Sequence, residues 1–324
     1  HYVMILCAGL FAQTMYTILS SAMRTLGDSR DPLFFLILSA GLNIVLDLVF
    51  IIVFHMGVAG AAWATVISQA VAGIGSFLFI WKKMPILHLS RSDFALDPDL
   101  VKLQLAIGIP MALQFSITAI GAVMLQSALN LLGSTAVAAY TAGSKIEQLL
   151  DQLFIGLGVT MASYCSQNAG AGRIDRVKKG ILAADRQGFA CAVAAGIGLL
   201  SFGKYLTYLF ISDDLEQIVP MVDTYLRCCS FFLIPLAAIF IYRNALQGMG
   251  YSLMPMMAGV VELFARAAVA FGAGRSRSFF GVCLANPAAW GSAALFLYIA
   301  YRVQIRKTDR LFKGSDAAEK AARP

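Results

Sequence analysis

The segment LNIVLD carries an amide, Asn43, and a carboxyl, Asp47, four residues apart. Both sit inside LFFLILSAGLNIVLDLVFIIVF, residues 33–54, a run that is otherwise almost wholly apolar. A carboxylate in such surroundings must pair, take up a proton or bind a cation, because desolvation penalises its bare charged form. On a helix, residues four apart stack on one face. Asp47 lies seven residues before the end of its run and Thr65 lies seven residues into the next. At 1.5 Å per residue the two share a depth, roughly 10 Å below one membrane face. Asn43, Asp47 and Thr65 therefore form a candidate set for holding a proton on the carboxyl or for ligating Na⁺ with hard oxygen donors. The competing use is hydrogen-bonded glue between helices.

A second polar seam runs through TAGSKIEQLLDQL, residues 141–153, with Lys145, Glu147, Gln148 and Asp151. Glu147 and Asp151 share a face, and Lys145 can pair with either through a neighbouring helix. A structural network and a substrate-facing acid are both open here. Gln114, Gln126 and Asn130 lie on a span interrupted by Pro110. With Tyr140 at the head of the seam, Gln114, Gln126, Tyr140, Glu147 and Asp151 make a candidate substrate cavity or polar network. Further on, Glu262 precedes Arg266 by four residues, the order that suits a helical ion pair. That pair is expected to be structural.

The elements that position these residues follow from composition. Of 324 residues, 59% are hydrophobic and 13% charged, with mean hydropathy +0.75. Ordinary soluble domains carry about 25% charged residues. Apolar runs long enough to cross a ~30 Å hydrocarbon layer recur along the chain, at about 2–23, 33–54, 58–81, 104–130, 136–165, 188–211, 218–242, 254–272 and 280–301. Helix is the assignment for each, since unpaired backbone is costly in lipid. The expected fold is an all-α polytopic bundle with about nine transmembrane helices. Six cysteines stand scattered without a C-x-x-C, and three histidines lie at segment ends, so neither a disulfide frame nor a histidine metal site is expected.

The connectors alternate in charge. RTLGDSRDP, WKKMPILHLSRSDFALDPDLVK, GAGRIDRVKKG, RNALQGMGYSLMP and the tail from Arg302 hold 18 Lys and Arg, whereas the intervening connectors hold 3. The positive-inside rule assigns the first set to the cytoplasm, with the C-terminus. The net charge of +7 is thus a topology signal and no sign of a nucleic-acid partner.

An internal repeat organises the chain. SAMRTLGDSRDP (21–32) aligns without a gap on NALQGMGYSLMP (244–255), and GVAGAAWAT (57–65) aligns on GVCLANPAA (281–289) at nearly the same offset. The repeat maps Asn43 and Asp47 onto Arg266 and Ala270, and Ser39 onto Glu262. Six helices form the repeated unit, so three helices are expected upstream of His1. The expected divisions are 1–81 (end of an N-terminal lobe), 82–103 (cytoplasmic linker), 104–301 (six-helix C-terminal lobe) and 302–324 (basic cytoplasmic tail). GLLSFGKY (198–205) lacks the Ser/Thr, the preceding strand and the soluble helix of a P-loop. NAGAGR (168–173) is better read as a helix end entering a turn. No H-E-x-x-H or G-x-S-x-G occurs, and an enzyme is not expected.

The segments SAMRTLGDSRDP, LNIVLD, GVAGAAWAT, GIPMALQ, AAYTAGSKIEQL, CSQNAGAGR and NALQGMG together resemble the multidrug and toxic compound extrusion family of cation-coupled transporters, in its bacterial branch. The resemblance implies twelve helices in two six-helix lobes facing a central cavity, of which this chain would hold helices four to twelve. It implies a cation site built from Asn43, Asp47 and Thr65, plus an aspartate on the family's first helix. It further implies a secondary antiporter exporting amphipathic, cationic organic compounds against H⁺ or Na⁺ influx, without a cofactor, as a monomer in the bacterial inner membrane. Its partners would be small amphipathic molecules and the bilayer. Many members carry a glutamate on the seventh helix; at the corresponding place, eight residues past Pro110, this chain has Thr118. GAGRSRSFF (272–280) also departs from the apolar helix end expected there. The alternatives are a lipid-linked oligosaccharide flippase of the same superfamily, which usually lines its cavity with several basic residues, and a non-functional fragment or membrane scaffold. The intramembrane cations counted against the flippase are few: Lys145, Arg227 and Arg266.

Overall fold

The computed structural model describes residues 2–88, 93, 95–210 and 215–322, with side chains described from 3 to 309 within those ranges. Parts of the expected linker (89–92 and 94), of the connector ISDDLEQ (211–214) and of the tail (323–324) lie outside the described residues. The chain divides into two compact units, His1–Asp97 and Pro98–Pro324.

The first unit holds α1 (Tyr2–Thr25), α2 (Arg30–Leu48) and α3 (Gly57–Lys83). Small residues let these helices approach, as expected where lipid supplies no hydrophobic drive between them. A Cβ at Gly73 would stand 3.5 Å from the Ala12 oxygen and the Tyr16 nitrogen, so α3 meets α1 backbone to backbone. Phe35 of α2 lies over Gly75 of α3, where a Cβ would come within 2.9 Å of its ring. Just past Asp47 the α2 helix widens into a π-helical turn, Val49–Val53, in which the Phe54 amide donates to the Val49 oxygen at 3.0 Å.

The second unit holds α4 (Pro98–Asn130), α5 (Ser134–Gly170), α6 (Ile174–Thr207), α7 (Leu215–Ser230), α8 (Leu233–Gly248), α9 (Leu253–Arg275), α10 (Phe279–Cys283) and α11 (Ala285–Ala322). Its core includes Ile146, Phe154, Tyr225, Leu226, Leu233, Ile239, Leu246 and Leu297. The expected span 218–242 is two helices, α7 and α8, bent by 52°. Pro235 explains the break, because it has no N–H to donate to the carbonyl of residue 231 and so cannot continue α7. The helix expected to end at 301 runs on as α11 to Ala322, so the expected tail begins as a continuation of the span. GAGRSRSFF ends α9 at Arg275 and starts α10, where Ser278 Oγ accepts from the Gly281 amide at 3.2 Å.

Among the described residues, seven helical stretches are long and apolar enough to cross a membrane, and the α7–α8 pair makes up to eight. α5 is not among them, since Lys145, Glu147, Gln148, Asp151 and Gln152 lower its mean hydropathy. No strand occurs among the described residues. Large apolar side chains such as Phe11, Phe34, Ile37, Phe115 and Phe264 stand exposed on the helix flanks, the pattern of helices apolar on all sides. The protein is an all-α, multi-pass membrane bundle.

The repeat is visible in the backbone. α1 ends at Gly27 (φ +91°), with the Gly27 amide donating to the Arg24 oxygen at 3.0 Å and the Asp28 amide to the Met23 oxygen at 3.1 Å. α8 ends at Gly250 (φ +88°), with the Gly250 amide donating to Gln247 at 2.9 Å and the Tyr251 amide to Leu246 at 2.8 Å. Each residue matches its counterpart 223 positions away. A left-handed residue closing a helix this way is the Schellman arrangement, which glycine adopts without a Cβ penalty. At the far ends of the next helices the chain turns through His55 (φ 52°) and Arg277 (φ 51°), the non-glycine residues with positive φ among those described.

Candidate functional site

Asn43 and Asp47 both lie on α2, half-buried. Asn43 Nδ2 and Asp47 Oδ1 are inaccessible to solvent and lack a hydrogen-bond partner. Thr65, on α3, is exposed and donates its hydroxyl to the Ala61 oxygen of its own helix at 3.0 Å. No hydrogen bond joins these three residues to one another among those described. An orphaned carboxylate oxygen fits a proton directly. For Na⁺, the Asp47 carboxylate, the Asn43 amide oxygen and the Thr65 hydroxyl are all-oxygen donors of the right hardness, but too few by themselves to complete a shell.

In the second unit, α4, α5, α7, α8, α9 and α11 surround a cavity of about 390 Å³. Gln126, Tyr140, Glu147, Asp151, Glu262 and Arg266 all line it, as does Thr118. Gln114 does not. It is buried beside the cavity wall, with its Oε1 accepting from Gln247 Nε2 at 3.1 Å. Gln126 donates to Asn130 Oδ1 along its own helix at 3.1 Å.

The polar side chains form a connected chain. Arg243 Nη2 stands 2.9 Å from Glu262 Oε2, and Arg266 Nη2 stands 3.2 Å from Glu262 Oε1. Arg266 Nε donates to Asn286 Oδ1 at 3.1 Å, and Asn286 Nδ2 donates to Tyr140 Oη at 2.9 Å. The Tyr140 ring meets the Tyr225 ring edge-on, with centroids 4.9 Å apart. Tyr225 Oη donates to the Glu147 carboxylate, and the Cys229 thiol lies 3.8 Å from the same oxygen. Two glycines make the space. A Cβ at Gly121 would fall 2.5 Å from Arg266 Nη1, and a Cβ at Gly143 would strike the Tyr225 ring. Asp151 Oδ1 has no hydrogen-bond partner. Lys145 is exposed and joins no ion pair among the described residues, so it does not neutralise either acid of its helix.

Sequence reading missed three members of this network. Arg243 was expected in a cytoplasmic connector; it lies inside α8 with its side chain 14% exposed and paired to Glu262. The signal available was the i+19 acid, which only the fold brings near. Asn286 and Tyr225 stand on other helices, and neither spacing nor periodicity links them to Glu147 or Arg266.

A bundle of apolar helices carrying a charged cavity within one unit is a polytopic membrane protein of the transporter-like kind. A family model, MatE, matches residues 107–271. The chain belongs to the MatE family. Among curated relatives, it is 28% identical over 304 residues to "Probable multidrug resistance protein YpnP" of Bacillus subtilis, covering 93% of this chain and 67% of that protein. It is 28% identical over 288 residues to "Probable multidrug resistance protein NorM" of Thermotoga maritima, covering 83% and 59%. It is 27% identical over 239 residues to an "FAD transporter" of Shewanella oneidensis, covering 70% and 51%. The chain thus spans between about half and two thirds of the length of these relatives. Its fold matches that of a MOP superfamily transporter from Pyrococcus furiosus with a TM-score of 0.89 at 23% identity, over 95% of this chain and 69% of the other. It also matches an outward-facing multidrug resistance MATE family transporter with a TM-score of 0.89 at 23% identity, over 95% and 70%.

Proposed function

We propose that the protein is a secondary antiporter that exports amphipathic organic cations across a bacterial inner membrane, driven by inward flow of H⁺ or Na⁺. The observation that carries this reading is the charge balance of the cavity in the second unit. Glu262 is shared by Arg243 and Arg266, which leaves one positive charge in surplus. Glu147 and Asp151 face the same cavity without a cation of their own. Burial disfavours two bare carboxylates side by side, so an arriving organic cation supplies the partner with which they can ionise. Tyr140, Tyr225 and Trp290 add aromatic faces suited to such a cation. The relatives named for multidrug resistance support the same substrate class.

Coupling is assigned to Asp47, with Asn43 and Thr65 as neighbouring oxygen donors. An acid with an unpartnered buried oxygen binds a proton or cation in one conformation and releases it in another. A gradient drives transport only if the ion prefers one of the two states, since equal affinity shifts nothing. The test is dye efflux by the full-length protein in everted vesicles, under an imposed pH or Na⁺ gradient. Asp47→Asn mimics permanent protonation and is expected to abolish uphill efflux while leaving the protein folded and able to bind dye. Asn43→Ala and Thr65→Ala are expected to weaken ion dependence less. Gradient-driven efflux at the wild-type rate by Asp47→Asn would make this acid structural. The basic asymmetry of the connectors supports a cytoplasmic C-terminus, so a thiol introduced at the exposed Val58 is expected to react from outside intact cells and one at Ser315 is not.

A further inference from the structure

A second concavity of the same unit shares no residue with the charged cavity. α6, α8 and α11 flank a groove of about 520 Å³. Its polarity is graded in the same sense along all three helices. On α6, Asp185 and Arg186 lie nearer the Ile174 end, and Phe189 lies one turn further into the span. On α8, Tyr242 lies near the Gly248 end, and Ile234 lies eight residues deeper. On α11, Tyr298 lies on the tail side, and Leu295 lies toward the Ala285 end. The Ile174 end of α6, the Gly248 end of α8 and the tail of α11 all adjoin connectors of the set that the positive-inside rule assigns to the cytoplasm. The polar residues therefore form a rim on the basic side of the membrane, and the apolar residues form a floor leading toward its middle.

The rim is built rather than incidental. Tyr242 Oη donates to Asp185 Oδ2 at 2.8 Å, and the Tyr242 and Tyr298 rings meet edge-on with centroids 5.7 Å apart. Arg302 Nη1 donates to Tyr298 Oη at 2.8 Å. Tyrosines with one apolar and one polar end settle at the interface between hydrocarbon and head groups. Arg186 is exposed and has neither an ion pair nor a hydrogen bond among those described. Below it, Phe189 and Leu295 are 56% and 62% exposed, with nothing of this unit over them. A cation and an anion side by side above an apolar trough are complementary to one ligand chemistry: a zwitterionic head group on an acyl chain.

We propose that this groove is a binding site for an aminophospholipid, with the phosphate on Arg186, the primary ammonium on Asp185 and one acyl chain along Phe189, Leu295 and Ile234. A primary ammonium brings N–H donors that a carboxylate accepts, which a quaternary head group lacks. The apolar floor requires the chain, so the lipid and not free phosphoethanolamine is the ligand.

The test is native mass spectrometry of the full-length protein in detergent, supplemented with phosphatidylethanolamine, phosphatidylcholine or phosphatidylglycerol of identical acyl chains. Ala238→Trp, which fills the groove, defines the lipid bound there as the difference from wild type. In that difference, phosphatidylethanolamine is expected to exceed the other two by about tenfold, the scale of one charge-assisted hydrogen bond. Arg186→Gln is expected to lower retention of all three lipids. Asp185→Asn keeps an acceptor for Tyr242 and is expected to erase the preference for the primary amine while total retention persists. Melting temperatures near wild type for these variants separate lost lipid from lost fold. Equal retention of the three lipids by the wild type would overturn the assignment. So would displacement by soluble phosphoethanolamine as effective as by the lipid, or retention unchanged in both Arg186→Gln and Ala238→Trp.

Discussion

The helix pair α1–α2 of the first unit and the pair α8–α9 of the second begin alike and then part. Met23 and Leu246 are fully buried, Gly27 and Gly250 turn left-handed, and Pro32 and Pro255 are buried at the start of the next helix. Further along, Ser39 occupies the buried position that Glu262 holds in the second unit, at 3% and 6% exposure. Asn43 stands where Arg266 stands, and Asp47 stands where the buried Ala270 stands. Backbone turns are thus shared between the repeats, while their ionisable groups are not. In the second unit the acid is closed into a circuit with two arginines and an asparagine. In the first, the acid stands about two helical turns further along the chain and its oxygen is left open. A repeat can therefore keep its turns while its two copies carry different ionisable groups.

The sharpest way to break this comparison is to remove the acid on each side. Glu262→Gln leaves two buried guanidinium groups unpaired, which is expected to cost on the order of 3–5 kcal/mol and much of the folded protein in detergent. Adding Arg266→Gln and then Arg243→Gln is expected to restore abundance in two steps, since each removes one uncompensated charge. Losses that simply add through the series would show the three side chains to be uncoupled.

A smaller effect is expected at the space made for the guanidinium. Gly121→Ala puts a Cβ 2.5 Å from Arg266 Nη1 and is expected to cost roughly 1–3 kcal/mol, in the range of overpacked sites. If Arg266→Gln in the same chain removes most of that cost, the crowding is at the guanidinium. A cost that stays whole would place the crowding elsewhere.

Gly27→Ala and Gly250→Ala probe what the repeats share. A Cβ at either meets no atom within 4 Å, so only the left-handed backbone penalises it, by about 1–2 kcal/mol each. Thermal melts showing the two losses equal within a few tenths of a kcal/mol would support equivalent turns; a large inequality would dissolve the structural repeat.

The smallest stability change is expected for Asp47→Asn. Its carboxylate oxygen gains no hydrogen bond in the fold, so neutralising it is expected to shift the melting temperature little or upward. A loss matching that of Glu262→Gln would mean that Asp47 is tied into the structure as firmly as its counterpart region, and the contrast between the repeats would fail.

The sequence alone determined the membrane class, the repeat and most helix positions, because burial in lipid demands long apolar runs and satisfied backbone. It missed the polar extensions, since α6 begins at Ile174 rather than near 188 and α11 runs past 301 to Ala322. Local spacing also placed Glu262 within reach of Arg266, since both lie on one helix. It mislocated Arg243, because a cation ahead of a turn looks the same in sequence whether it enters water or folds back on a carboxylate. It read α7 and α8 as one unbroken span, although Pro235 was there to mark the break. Only the tertiary structure decided that six helices bring Glu147, Asp151, Arg243, Glu262, Arg266 and Asn286 to one cavity, that Gln114 turns instead to Gln247, and that Lys145 neutralises neither neighbouring acid. Periodicity reports which face of a helix is polar; which polar face meets which other is settled by where glycines let helices approach, and that depends on residues far apart in the chain.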